Sequence, residues 1–190
     1  MRWYIKIITL NPATPSGADL PKNVAWVSVM KFDVTAGSSD VSISSLTFQR
    51  TWFGEAAVEE VVVYSDEARI TKSNDFNSED VVGLNVSPAF VVKAGSTETL
   101  TARVTTASST YGEFQIELTN LVSSAANVKL ASIVSNKFDV KDVDAAVLEI
   151  TDEGVTASVK SGETQAELAE FKLKNEGSAS TSADVDVTVS

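Results

Sequence analysis

The side chains best able to do chemistry in this sequence are carboxylates, and they gather in two places. Asp139, Asp142 and Asp144 stand close together, with Glu149, Asp152 and Glu153 just beyond. The stretch Asn74-Asp75-Phe76-Asn77-Ser78-Glu79-Asp80 forms a second, looser group. Clusters of this kind suit calcium, which takes several carboxylate and carbonyl oxygens. Asp139, Asp142 and Asp144 are the expected ligands if a calcium ion stiffens the join between two modules. Neither group has the alternating spacing of an EF-hand loop, so a solvated run of charge is the competing account of both. Adjacent carboxylates such as Glu59/Glu60 and Asp66/Glu67 do not form an acid–base pair, because neighbouring residues on a strand point to opposite faces.

Other chemistries lack their reagents. The 190 residues include no His and no Cys. That removes the usual base near neutral pH, the commonest zinc ligand, thiolate nucleophiles and disulfides. Serine and threonine are abundant, but a nucleophilic serine needs a base and an oxyanion hole, and no Gly-x-Ser-x-Gly elbow is present. No catalytic residues are expected, and the chain reads as a non-enzyme. With 15 Lys+Arg against 26 Asp+Glu the net charge is −11, which repels phosphate backbones and argues against nucleic-acid binding. No stretch approaches the ~20 apolar residues of a membrane helix, so no membrane insertion is expected. The opening run to Leu10 is broken by Lys6 and lacks a small-residue cleavage site, so it reads as a β-strand rather than a leader.

Aromatic residues are the remaining candidates. Trp3, Trp26 and Trp52 with Tyr4, Phe53 and Tyr111 could stack against a carbohydrate. Alternation places Trp26 with Val24, Met30, Phe32 and Val34 on an apolar face, which predicts core packing for it. Trp52-Phe53 lies beside Gly54 at a strand end, where an exposed aromatic pair would suit subunit docking.

The elements that would carry these residues are strands. Leu100, Ala102 and Val104 alternate with Thr101, Arg103 and Thr105, and Phe114, Ile116 and Leu118 alternate with Gln115, Glu117 and Thr119. The apolar parity changes between Ile43 and Leu46, which predicts a bulge near Ser44-Ser45 or a strand that crosses between sheets. Helical periodicity is weak throughout. Short Val- and Thr-rich strands separated by Gly, Ser, Asn, Asp and Pro predict an all-β fold, an antiparallel β-sandwich.

A pattern occurs twice. Ile8 to Phe32 and Val147 to Phe171 are both 24 residues, with similar turn chemistry between and after. Two modules follow, at 1–140 and 141–190. The second has room for three strands, too few to close a sandwich and cover its apolar face. Either the chain is part of a longer repeat protein or another subunit supplies the missing strands. In the second case Trp3, Tyr4, Ile5 and Ile7 belong to a donor strand, and Phe171, Leu173, Val187 and Val189 to the face it covers. The partner is then a second copy of the chain. Head-to-tail linkage of such copies gives a homopolymeric filament unless the rotation closes.

Three segments also carry a family resemblance. They are Asn11–Gly17, then Val29-Met30-Lys31-Phe32-Asp33-Val34-Thr35-Ala36-Gly37, then Val41-Ser42-Ile43-Ser44-Ser45-Leu46-Thr47-Phe48. Together with Glu60–Tyr64 and the turn Lys93-Ala94-Gly95-Ser96, they resemble the immunoglobulin-like β-sandwich repeats of large bacterial cell-surface, S-layer-type proteins. The resemblance implies an extracellular, cell-surface scaffold, filament, pilus or surface-layer role. It carries over no catalytic residues. An adhesion module, stiffened by calcium and binding a carbohydrate or protein, is the alternative.

Overall fold

The computed structural model describes residues 5–54, 57–125, 130, 132–141, 148–152 and 171–175. Among them there is no helix, and so none long and apolar enough to cross a membrane. The chain divides into two compact units, Met1–Val143 and Asp144–Ser190.

The first unit is a β-sandwich. One sheet contains β1 (Ile5–Leu10), β3 (Val27–Ala36), β9 (Thr97–Thr106), β5 (Val58–Ser65) and β6 (Ala68–Arg69) in that spatial order, and β7 (Asn74–Asp75) also pairs with β5. The other runs β2 (Asp19–Pro21), β11 (Phe138–Lys141), β10 (Gly112–Ser123), β4 (Val41–Gly54) and β8 (Val81–Val92). Every pairing is antiparallel except β2 with β11, where the chain has crossed from the first sheet into the second. The crossing needs a glycine: a Cβ on Gly17 would fall onto the Lys137 carbonyl oxygen. Thr14 completes the edge of β3, its hydroxyl donating to the Lys31 carbonyl and accepting from the Lys31 N–H.

Alternating side chains from both sheets meet in the core. Phe32, Val34, Leu100, Val104, Val61 and Val63 come from the first sheet, and Phe48, Leu84, Phe114, Ile116 and Leu118 from the second. Phe32 and Phe48 meet edge to face across the layer at 6.3 Å, a geometry the ring quadrupoles favour. The pairing of β4 with β8 shifts register between Ile43 and Ser45, where the parity change points to a bulge. That irregularity lets both Ile43 and Leu46 reach the interior, and β4 stays within one sheet.

In the second unit, β12 (Leu148–Asp152) pairs antiparallel with β13 (Phe171–Asn175), setting Ile150 opposite Leu173 and Asp152 opposite Phe171. The first members of the internal echo, β1 and β3, form an antiparallel pair of the same kind.

Candidate functional site

The N-terminal edge is built by β1. Ile8 is buried against the core, while Ile7 is 50% and Leu10 38% exposed on a strand whose paired neighbour is β3. Ile5 lies opposite Ala36, beyond a register shift. Among its described side chains, Ile8 is the large one the strand docks into its own sandwich, beside a short ladder. Of the other expected interface residues, Phe171 and Leu173 lie on β13 but their side chains fall outside the description. Trp3, Tyr4, Val187 and Val189 lie outside the described residues altogether.

The expected calcium ligands are only partly placed. Asp139 sits on β11 beside Lys141, whose ammonium is 2.7 Å from Asp19 and 3.4 Å from Asp139. The hydrogen bond to Asp19 holds Lys141 above its ordinary pKa of 10.5, since the charged form is the one that bonds. A cation is thus already seated between these two carboxylates. Asp142 and Asp144 lie outside the described residues. In the 74–80 stretch Asn77 and Asp80 have structural work. Asn77 accepts from the N–H groups of Glu79 and Val81, forming the turn. Asp80 pairs with Arg50 at 2.8 Å. No group of three metal-capable side chains occurs among the described residues.

Trp26 corrects the expectation of core packing. It precedes β3, with φ at 61°, and is half-buried outside the core cluster. The pairing of β3 with β9 shifts register between Ser28 and Met30, so one extra residue reverses the parity upstream of Met30. Val27 and Val29 turn inward and Trp26 does not. The buried Thr106 hydroxyl fixes this approach, donating to the Pro21 carbonyl and accepting from the Val24 N–H. The Arg69 guanidinium lies 5.0 Å from the Trp26 ring centre.

This outer face of the first sheet carries more cation–aromatic contact. Val62 lies opposite Arg103 with its neighbours Val61 and Val63 in the core, so it points outward, yet it is fully covered. Arg103 is 4.2 Å from the Tyr64 ring and pairs with Glu67 at 3.0 Å. Its Nε is buried with no hydrogen-bond partner among the described residues.

Next to Arg69 the two sheets come together around a cleft of about 950 Å³. One wall is the connection from β6 to β7, held to β5 by the Ile70 N–H on the Val63 carbonyl and the Val63 N–H on the Thr71 hydroxyl. The other wall is the edge strand β8. The walls run antiparallel and meet at two points: Thr71 bridges Val86, and the Asn74 amide donates to the Gly83 carbonyl at 3.1 Å. Between those points Lys72 and Ser73 lie across from Leu84 and Asn85, and the lining continues beyond the bridge to Arg69, Ile70 and Ser87. Arg69 and Lys72 line the cleft, and among the described residues no Asp or Glu does.

Sequence reasoning passed over this cleft, although a signal was present. Arg69 to Asn74 carries two positive charges and no negative one, between Asp66-Glu67 and Asp75, in a chain of net charge −11. Tyr111 is 62% exposed, with the Lys22 ammonium 5.6 Å from its ring. The side chains of Trp52 and Phe53 lie outside the description. Trp26 and Tyr111 are separate features, and nothing in the described geometry joins them into one platform.

Comparison with protein-family models finds no match, and comparison with curated proteins finds none either. Among solved structures, the chain is similar to a cohesin module of a family 33 glycoside hydrolase from Clostridium perfringens. That likeness has 14% identity and a TM-score of 0.39, covering 72% of this chain and 98% of the other. It is also similar to AvmM, which catalyses macrocyclization in alchivemycin A biosynthesis, at 8% identity and a TM-score of 0.38, covering 70% and 87%.

Proposed function

We propose that this chain is a non-enzymatic structural subunit of an extracellular assembly, a filament or surface layer, in which copies join by exchanging the N-terminal strand. One observation carries the reading: among the described strands β1 is a sheet edge, attached through its ladder to β3 and the buried side chain of Ile8. Burying one such side chain stabilises the strand by roughly 1.5–3 kcal/mol. The same ladder and the same pocket exist on every copy. A strand that leaves its own β3 for that of a neighbour recovers those contacts, so exchange is decided by concentration and by strain in the residues after Leu10. Ile7 and Leu10, exposed when the strand is docked in its own chain, add apolar surface at the same edge.

The absence of native cysteine makes the test clean. Ile7 lies opposite Thr35 in the ladder, so Ile7→Cys with Thr35→Cys places two thiols across the β1–β3 seam. Strand exchange predicts disulfide-linked dimers and ladders on a non-reducing gel, increasing with concentration. Intrachain disulfides alone, with a monomer in sedimentation at every concentration, would remove the proposal.

A further inference from the structure

We propose that the cleft between the β6–β7 connection and β8 binds an acidic sugar unit, a hexuronic acid held through its carboxylate and hydroxyls. Charge is the first argument. Arg69 and Lys72 line the cleft, and among the described residues no acidic side chain lines it and neither cation pairs with a carboxylate. In a chain with 26 acidic residues, such a cationic hollow is a local reversal of sign that attracts an anion.

Shape is the second. The volume lies in the range of small-ligand sites, the lining continues past the Thr71–Val86 bridge to Arg69, Ile70 and Ser87, and that bridge and the Asn74–Gly83 hydrogen bond cross-link the two walls. The free length between them is three residue steps, about 10 Å. A peptide strand pairing along either wall would have to break one of these cross-links, whereas a compact ring seated beside them need not.

Polar chemistry is the third. Ser73, Asn74, Asn85 and Ser87 supply amides and hydroxyls that both donate and accept, as a sugar ring requires. The guanidinium of Arg69 is held in place by its hydrogen bond to the Thr71 carbonyl at 2.8 Å and by the ring of Trp26. It offers its remaining N–H groups to a carboxylate without further ordering. The cleft lies at the edge of the first sheet opposite β1, so it can be occupied whether or not that strand is exchanged.

The test is an amide chemical-shift titration at low salt with D-galacturonate, using D-galactose, acetate and an aspartyl dipeptide as controls. Saturable shifts confined to Arg69–Asn74 and Gly83–Ser87 are expected for galacturonate, with galactose weaker and acetate not saturating. Lys72→Gln and Asn85→Ala alter exposed side chains, so they should melt as the unaltered protein does. Lys72→Gln should weaken binding about fivefold, the worth of one exposed ion pair. The proposal is overturned by the absence of saturable shifts, by an equal response to acetate, by tighter binding of the dipeptide, or by unchanged affinity in Lys72→Gln.

Discussion

Arg50 offers the sharpest test of how this sandwich is held together. It follows Leu46 and Phe48 in the inward series of β4, and its side chain is 11% exposed. Its Nε and Nη2 hold Asp80 at 2.9 and 2.8 Å, Nη1 donates to the Val58 carbonyl, and the guanidinium lies 4.9 Å from the Phe76 ring. Val58 belongs to the opposite sheet, so one side chain ties the two layers and the turn before β8. Arg50→Met keeps the apolar stem and removes the charge. It leaves the Asp80 carboxylate without its partner and the Val58 carbonyl without its donor. Breaking a fully buried pair costs about 3–5 kcal/mol. Asp80 is 27% exposed, and water recovers part of that, so the expected loss is about 2–4 kcal/mol. In urea this moves the midpoint down by about 1–2 M at a slope near 2 kcal/mol/M, read by circular dichroism. Lys93→Met is the control: its pair with Asp40 is exposed at both ends and should leave the midpoint nearly where it was. If the two variants shift the midpoint equally, the cross-layer tie has no special role and the reasoning fails.

Two further outcomes follow from the same geometry. Gly17→Ala puts a methyl onto the Lys137 carbonyl and should cost about 1–3 kcal/mol, whereas Gly83→Ala enters open space and should be neutral or stabilise by up to about 1 kcal/mol; equal losses in thermal melts would refute the crossing constraint. The Asp40 carboxyl is held below its ordinary value of 3.8 by the Lys93 hydrogen bond first and the Ala94 N–H second. Its contribution to stability is therefore present above 3.8 and lost as pH falls through the lowered folded value. Carbon NMR titration should show a midpoint under 3.8 that rises in Lys93→Ala, and a midpoint unmoved by that change would contradict the assignment.

Much of the fold was legible because strand alternation is a local property. Leu100, Ala102 and Val104, and Phe114, Ile116 and Leu118, declare their inner faces by spacing alone, and the structure buries all six. The bulge near Ser44 was legible for the same reason, since a break in parity is visible within one segment. Trp26 was misread because the bulge that turns it outward lies in the pairing of β3 with β9, residues far apart in sequence. Arg50 was overlooked although a charge interrupting the series Leu46, Phe48 is itself a readable sign of a buried tie.

What the chain determined by itself is composition and period. It has no histidine or cysteine, a strong negative charge, and side chains repeating every second residue in short runs. Tertiary structure alone decided which edges meet. Arg69 and Lys72 became one wall of a cleft only when β8 came to lie beside them. The physical reason is that alternation is fixed by the geometry of a single strand, while pairing partners and bulges are fixed by competition among all the strands for one core.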